Sequence, residues 1–137
     1  MPAAILTPAQ SEFIDAAAVA RLATVYPDGS PHVVPICPVL DLDRIILASD
    51  TKSAKTRNIA GNPEVAVCFD HYDDDWDELK QVIVFGSAYL IESGFEWERD
   101  RDLLNAKFPQ YPVSFPIEEG NSTMVEIRIE RVSSSGF

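Results

Sequence analysis

Lys52, Lys55 and Arg57 fall within six residues, uninterrupted by any acid, in a chain that carries 22 Asp and Glu against 11 Lys and Arg. The same stretch reads as the start of a short helix. Ser53 caps it, Ala54 to Ala60 forms it, Gly61 ends it in a left-handed conformation, and Asn62-Pro63 prevents continuation. The first turn of a helix leaves N–H groups without intrahelical acceptors and carries the positive end of the helix dipole, a combination that attracts phosphate. Thr51, Ser53 and Thr56 add hydroxyl donors, and Arg57 adds a planar guanidinium fork. The chemistry these residues predict is the holding of a phosphate monoester or diester. The competing reading is an exposed helix with solvated bases or surface ion pairs.

Other reactive residues point to little. His32 and His71 are the only histidines, which excludes a multi-histidine metal site within one chain, and no nucleophile elbow accompanies them. Cys37 and Cys68 lie in apolar runs without C-x-x-C spacing, as expected of reduced core thiols in a cytosolic protein. The Asp73 to Glu78 cluster lacks the glycine and terminal glutamate of a calcium loop and reads as a solvated acidic loop. Phe95 and Trp97, at helical spacing with Leu104, read as packing residues. A formal charge of −11 disfavours nucleic acid and anionic lipid as partners. No apolar run is long enough for a membrane span, and the start lacks the pattern of a signal peptide, so the expected protein is soluble and cytoplasmic.

The elements that must position the basic turn are mostly strands. The 137 residues fit one domain. It is expected to have an N-terminal helix at about 7–20, opened by Thr7, Pro8 and Gln10, and a barrel over about 21–132. Strands are expected at Leu22 to Tyr26, His32 to Leu40, Arg44 to Ser49, Glu64 to Asp70, Gln81 to Ile91 and Ser122 to Val132. Pro27 to Ser30 turns the first hairpin, Gly86 marks a bulge, Phe95 to Phe108 reads as a helix, and Pro109 to Gly120 as a loop. The fold class is therefore mostly β: a six-stranded antiparallel split barrel with appended short helices. In the second and fifth strands both pleat faces are apolar, which asks for cover on the outside; a twofold homodimer is the favoured cover, and the helices alone are the alternative.

Several segments together carry a family likeness. Ser53-Ala54-Lys55-Thr56-Arg57-Asn58-Ile59 with Asn62-Pro63 resembles the phosphate-binding turn of the pyridoxamine-phosphate-oxidase-like, FMN-binding split barrels. Arg21 to Val25 with Asp28-Gly29 and Pro31 resembles their first hairpin, and Gln81 to Gly86 resembles their Q-V-x-V-x-G strand. Asp70 to Trp76 and Lys107 to Tyr111 look like the actinobacterial-type branch of deazaflavin-dependent enzymes. The likeness covers about residues 12 to 132 in unbroken motif order.

That resemblance implies a flavin-type cofactor, FMN or the deazaflavin coenzyme F-420. By position, Lys55 contacts its phosphate, with Lys52, Ser53 and Arg57 nearby. Ser49 and Asp50 approach the ribityl chain or ring, and the backbone of Val34, Pro35 and Ile36 lines the isoalloxazine. Gln81 bonds the ring's polar edge, and Trp76 covers it from the same or the partner subunit. The implied activity is oxidoreduction of a small-molecule substrate by hydride transfer through the cofactor, with no side-chain acid or base required. A non-catalytic flavin carrier or sensor is the alternative, and a structural dimer that binds nothing is the third. The chain departs from pyridoxamine phosphate oxidases proper at Ala54 and at Val33 or Val34, where they carry arginines, and it lacks their longer C-terminal tail. These departures leave the pyridoxamine phosphate substrate unsupported.

Overall fold

In the computed structural model, which describes residues 6–137, helix α1 (Pro8–Ala16) starts at the expected capping box. Thr7 accepts the Gln10 N–H at 3.1 Å, and the Gln10 side chain accepts the Thr7 N–H at 3.0 Å. The helix is shorter than expected. Ala17 is extended (φ −73°, ψ 127°), because the chain must already be straight when Ala20 pairs with Ile36 in the first hairpin.

That hairpin joins β1 (Ala20–Val25) to β2 (Pro31–Ile36). The apolar run from His32 to Leu40, expected as one strand, is broken after Ile36 at Cys37-Pro38, since Pro38 has no N–H to give a ladder. It resumes as β3 (Val39–Asp41), followed by β4 (Arg44–Asp50), helix α2 (Ala54–Gly61) and β5 (Glu64–His71). A 3-10 turn at Trp76–Glu78 precedes β6 (Lys80–Ile91), α3 (Phe95–Lys107), α4 (Gln110–Ser114) and β7 (Ser122–Ser135). The strand count among the described residues is therefore seven, one more than expected. Inside the expected 109–120 loop a short helix, α4, has formed, and β7 runs on to Ser135 because Ser133, Ser134 and Ser135 pair with Ile83, Val82 and Gln81.

All strand pairs are antiparallel in one sheet of order β2-β1-β5-β6-β7-β4-β3. The two edge strands, β2 and β3, are adjacent in sequence and separated only by Cys37 and Pro38, so the sheet has to curl until its edges approach. The result is a half-barrel. Gly86 supplies the expected bulge, where the β6–β7 register shifts between Phe85 and Gly86. Gly61 departs from expectation: it is the last helical residue with an ordinary φ, and Asn62, extended at φ −149°, ends the helix.

Two apolar cores result. The concave face buries Leu22, Leu47, Phe69, Val84 and Ile127, closed by Ile14 of α1 and Ile59 of α2. A second core lies outside the sheet, where Val39, Ile46 and Met124 pack under Trp97, Leu104 and Phe108 of α3 and its end. Trp97 donates its indole N–H to the Ser122 carbonyl at 3.0 Å. Phe95 was expected to pack with Trp97 but is 83% exposed, because at the first turn of α3 it projects away from the sheet. Neither cysteine is a core thiol. Cys37 is exposed in the strand crossing, and Cys68 is half-buried on the outward face of β5.

The rest of the convex face carries no helix among the described residues. Register places Val33, Ala23, Ala66 and Phe85 in one row across β2, β1, β5 and β6, and Pro35, Arg21, Cys68 and Ile83 in the next. None of these side chains is fully buried, and Val33 is 65% exposed. No described helix is long and apolar enough to cross a membrane.

Candidate functional site

The turn from β4 into α2 is knotted by hydroxyl groups. The Asp50 carbonyl accepts the Ser53 N–H at 3.0 Å and the hydroxyls of Ser53 and Thr56 at 2.8 Å each. The buried Ser49 hydroxyl lies 2.6 Å from that of Thr56 and 3.0 Å from that of Ser53, while Ser53 caps the Thr56 N–H. Asp50 turns its carboxylate back to accept the Lys52 N–H at 2.8 Å. The helix is pinned to the sheet by Asn58, buried, whose amide donates to Thr24 Oγ1 at 3.1 Å.

This network leaves two N–H groups, those of Ala54 and Lys55, without an acceptor among the described residues. They are the first two of α2, where the helix dipole is positive. Ser49 and Ser53 are thereby builders of the turn, their hydroxyls already engaged, so the backbone and the cations are the groups left for a ligand.

The cations are left over in a telling way. Arg21, Arg44, Arg99 and Arg101 make ion pairs, and Lys107 donates to two backbone carbonyls. Lys80, Arg128 and Arg131 lie over the rings of Phe137, Tyr89 and Phe85. Of the 11 bases only Lys52, Lys55 and Arg57 lack a hydrogen-bonded, ion-paired or aromatic partner among the described residues. Lys52 and Arg57 are exposed and Lys55 is half-buried. Burial pushes the Lys55 ammonium below its ordinary value, and Asp50 nearby pulls it part of the way back. A half-buried cation with no direct ion pair among the described residues has the chemistry to attract an anion.

The remaining expected site residues are spread further. Ser49 and Asp50 sit beside Thr123 and Ser122 of β7, whereas Gln81 pairs with Ser135 at the other end of the same strand. Those positions are twelve residues apart along β7. Val34 and Ile36 face the concave side and Pro35 faces out, beside Arg21. Trp76 is 73% exposed in the acidic loop next to the Gln81 end. The chain therefore brings Lys52, Ser53, Lys55 and Arg57 together with Ser49 and Asp50, and holds Gln81 and Trp76 apart from them.

Beside Ser49 and Asp50 runs an open groove of about 420 Å³, walled by Tyr111 and Phe115 and floored by Ile117 and Asn121. It shares Tyr111 and Phe115 with an apolar cleft of about 180 Å³ that reaches Cys37 and Phe108. No cationic side chain lines either space. Burial, and to a smaller degree the neighbouring Cys37, pushes the Tyr111 hydroxyl up to about 12, so it remains a neutral hydrogen-bond donor. The sequence reading missed this wall; its signal was the i, i+4 spacing of Tyr111 and Phe115, hidden between Pro109, Pro112 and Pro116.

The family model described as pyridoxamine 5'-phosphate oxidase matches residues 6–136, and the chain belongs to that family. A 5a,11a-dehydrotetracycline/5a,11a-dehydrooxytetracycline reductase of Streptomyces rimosus subsp. rimosus is 32% identical over 123 residues, covering 85% of this chain and 87% of the reductase. Among solved structures, a FAD-binding protein of Mesorhizobium loti superposes with a TM-score of 0.77 at 24% identity, covering 94% of this chain and 92% of its own. A protein described as an F420 reductase superposes with a TM-score of 0.76 at 22% identity, covering 93% and 98%. Both share the fold of this chain.

Proposed function

We propose that this chain is an oxidoreductase that binds FMN or coenzyme F-420 as a homodimer and reduces or oxidises a ring-bearing small molecule without a phosphate group. The observation that carries the reading is the set of three cations and two N–H groups that lack partners among the described residues, in a chain of charge −11. Their chemistry suits a phosphate: Lys55 and the N–H groups of Ala54 and Lys55 would hold it, and Arg57 and Lys52 would screen it from the acidic surface. A bound flavin or deazaflavin supplies hydride transfer. The protein's own part is to anchor the phosphate tail, to offer the backbone of Val34, Pro35 and Ile36 to the ring, and to shape the groove in which the substrate lies. The lack of cations in that groove, with Asp50 at its side, disfavours a phosphorylated substrate.

Dimer formation supplies what one protomer leaves apart. The bare convex face of β2, β1, β5 and β6 would be covered, and Gln81 and Trp76 of the partner subunit would reach the ring held by the other. Titration of the purified protein with FMN and with F-420, followed by fluorescence and by anaerobic reduction, tests the reading; failure of both to bind overturns it. Val33→Glu places a charge on the exposed face, at its most exposed large apolar side chain on edge strand β2. It should convert a dimer to monomer in sedimentation, by at least a tenfold weaker association or roughly 1.4 kcal/mol, without unfolding the protomer. A wild-type protein that sediments as a monomer at all concentrations contradicts the dimer.

A further inference from the structure

Beneath α3, on the convex face of β7, two acids meet in the second core. Asp100 is 0% exposed and Glu126 is 5% exposed. Glu126 Oε1 accepts from Arg44 at 2.5 Å, while its Oε2 and both carboxyl oxygens of Asp100 have no donor among the described residues. The charged groups around them are paired among themselves. Arg44 of β4 also binds Asp41 of β3 at 2.8 Å and approaches Glu96 of α3 at 3.5 Å, and Arg99 of α3 is paired to Asp41. From β6, Tyr89 faces Glu126 across the ladder with Arg128 over its ring; from α4 the one titratable group is Tyr111, a neutral phenol.

Four carboxyls, those of Asp41, Glu96, Asp100 and Glu126, thus face two guanidiniums, those of Arg44 and Arg99. Two ionised carboxylates with three donorless oxygens cannot sit together in an apolar core, whereas one proton between them turns one acid into the missing donor. We propose that Asp100 and Glu126 share a proton, and that this carboxyl pair latches α3 onto β7 so that docking of α3 depends on pH.

Burial first and the adjacent Asp100 second push Glu126 up to about 7 against the pull of Arg44; burial likewise raises Asp100, against the pull of the Glu126 side chain and of Arg44 and Arg99. The pair titrates as a unit. Its sign follows from a carboxyl that holds its proton more tightly when α3 is docked. The stabilising contribution is complete below the ordinary value of 4.5 and fades as pH rises through about 7. Above that range the core holds an uncompensated charge, and undocking of α3 relieves it. The consequence reaches the groove, because α3 leads directly into α4, whose Tyr111 and the adjoining Phe115 wall it. The latch does not depend on any cofactor.

The test combines infrared and hydrogen-exchange measurements on the full chain. At about pH 5.5 the wild type should show the carbonyl stretch of a buried protonated carboxyl, fading by about pH 8.5, and absent in both Asp100→Asn and Glu126→Gln. Over the same interval, corrected for intrinsic rates, protection of α3 amides should fall about tenfold relative to those of β5 and β6. In Asp100→Asn, whose amide provides a donor at every pH, that ratio should stay constant; Glu126→Gln serves as the second variant if the first fails to fold. A wild type without the protonated-carboxyl band at the acidic end, or with α3 protection moving in step with the sheet, overturns the latch.

Discussion

Lys55→Ala is expected to weaken binding of FMN or F-420 by roughly 1.5 to 3 kcal/mol, ten- to a hundredfold in Kd, the scale of a hydrogen bond to a charged partner. Two features make Lys55 the strongest of the three cations. It alone is half-buried, so its attraction to a phosphate is less screened than that of the exposed Lys52 and Arg57. It also sits at the helix position whose own N–H is free, so one residue offers both ammonium and amide to the ligand. Removal of the side chain should leave the fold intact, because the cap is built by Ser53, Thr56 and Asp50. A further sign distinguishes a binding lysine from a structural one. Burial disfavours its charge in the free protein, so the unfolded chain holds that proton more tightly and stability rises with pH as the folded ammonium titrates. Lys55→Met should abolish this dependence and leave the ligand-free protein at least as stable, while weakening the cofactor. Calorimetric titration of both variants decides the matter, and unaltered affinity removes Lys55 from the site.

Gly86→Ala is expected to destabilise the fold by about 3 kcal/mol, at the upper end of overpacking changes in a rigid core. The reason is space: φ at Gly86 is ordinary, and an added Cβ would stand 2.1 Å from the Arg128 carbonyl oxygen and 3.2 Å from Ile127 Cγ2. The obstacle is backbone of the neighbouring strand, which cannot rotate away. It lies at the register shift that bends β6 around β7, so relief would require straightening the curl that both cores depend on. Gly61→Ala is the matched control. Nothing lies within 4 Å of a Cβ there and the residue is helical, so the change should be neutral or stabilising by roughly 0.5 kcal/mol. The urea midpoint should therefore fall for Gly86→Ala and hold or rise for Gly61→Ala, and a similar fall in both contradicts the packing argument.

Local chemistry was legible wherever a few neighbouring residues decide the outcome. The Thr7–Gln10 capping box, the Ser53 cap and the hairpin turn at Pro27 to Ser30 stand where side-chain hydroxyls and fixed backbone angles put them. Errors cluster where a distant partner decides. The His32 to Leu40 run reads as one strand; Pro38 permits a break, but the division at Cys37-Pro38 follows from β3 joining the opposite sheet edge. The serines after Val132 carry no strand signal, yet they pair because β6 offers them a ladder. Asp100 did carry a signal, an acid spaced three and four residues from Trp97 and Leu104 on the buried stripe of α3, but its meaning needed Glu126 across the core.

From its sequence alone this protein was determined to be a mostly antiparallel β chain with one cationic turn at a helix start, and the family likeness followed from the order of its motifs. These are properties of residue type and short spacing, which the chain carries whether folded or not. Only the tertiary structure decided that, among the described residues, Lys52, Lys55 and Arg57 are the bases left without partners, that Gln81 lies at the far end of β7 from Ser49, and that one stretch of convex sheet stays bare while α3 covers another. Partnership, distance and cover depend on contacts between residues far apart in the chain, and these exist only once the sheet has curled.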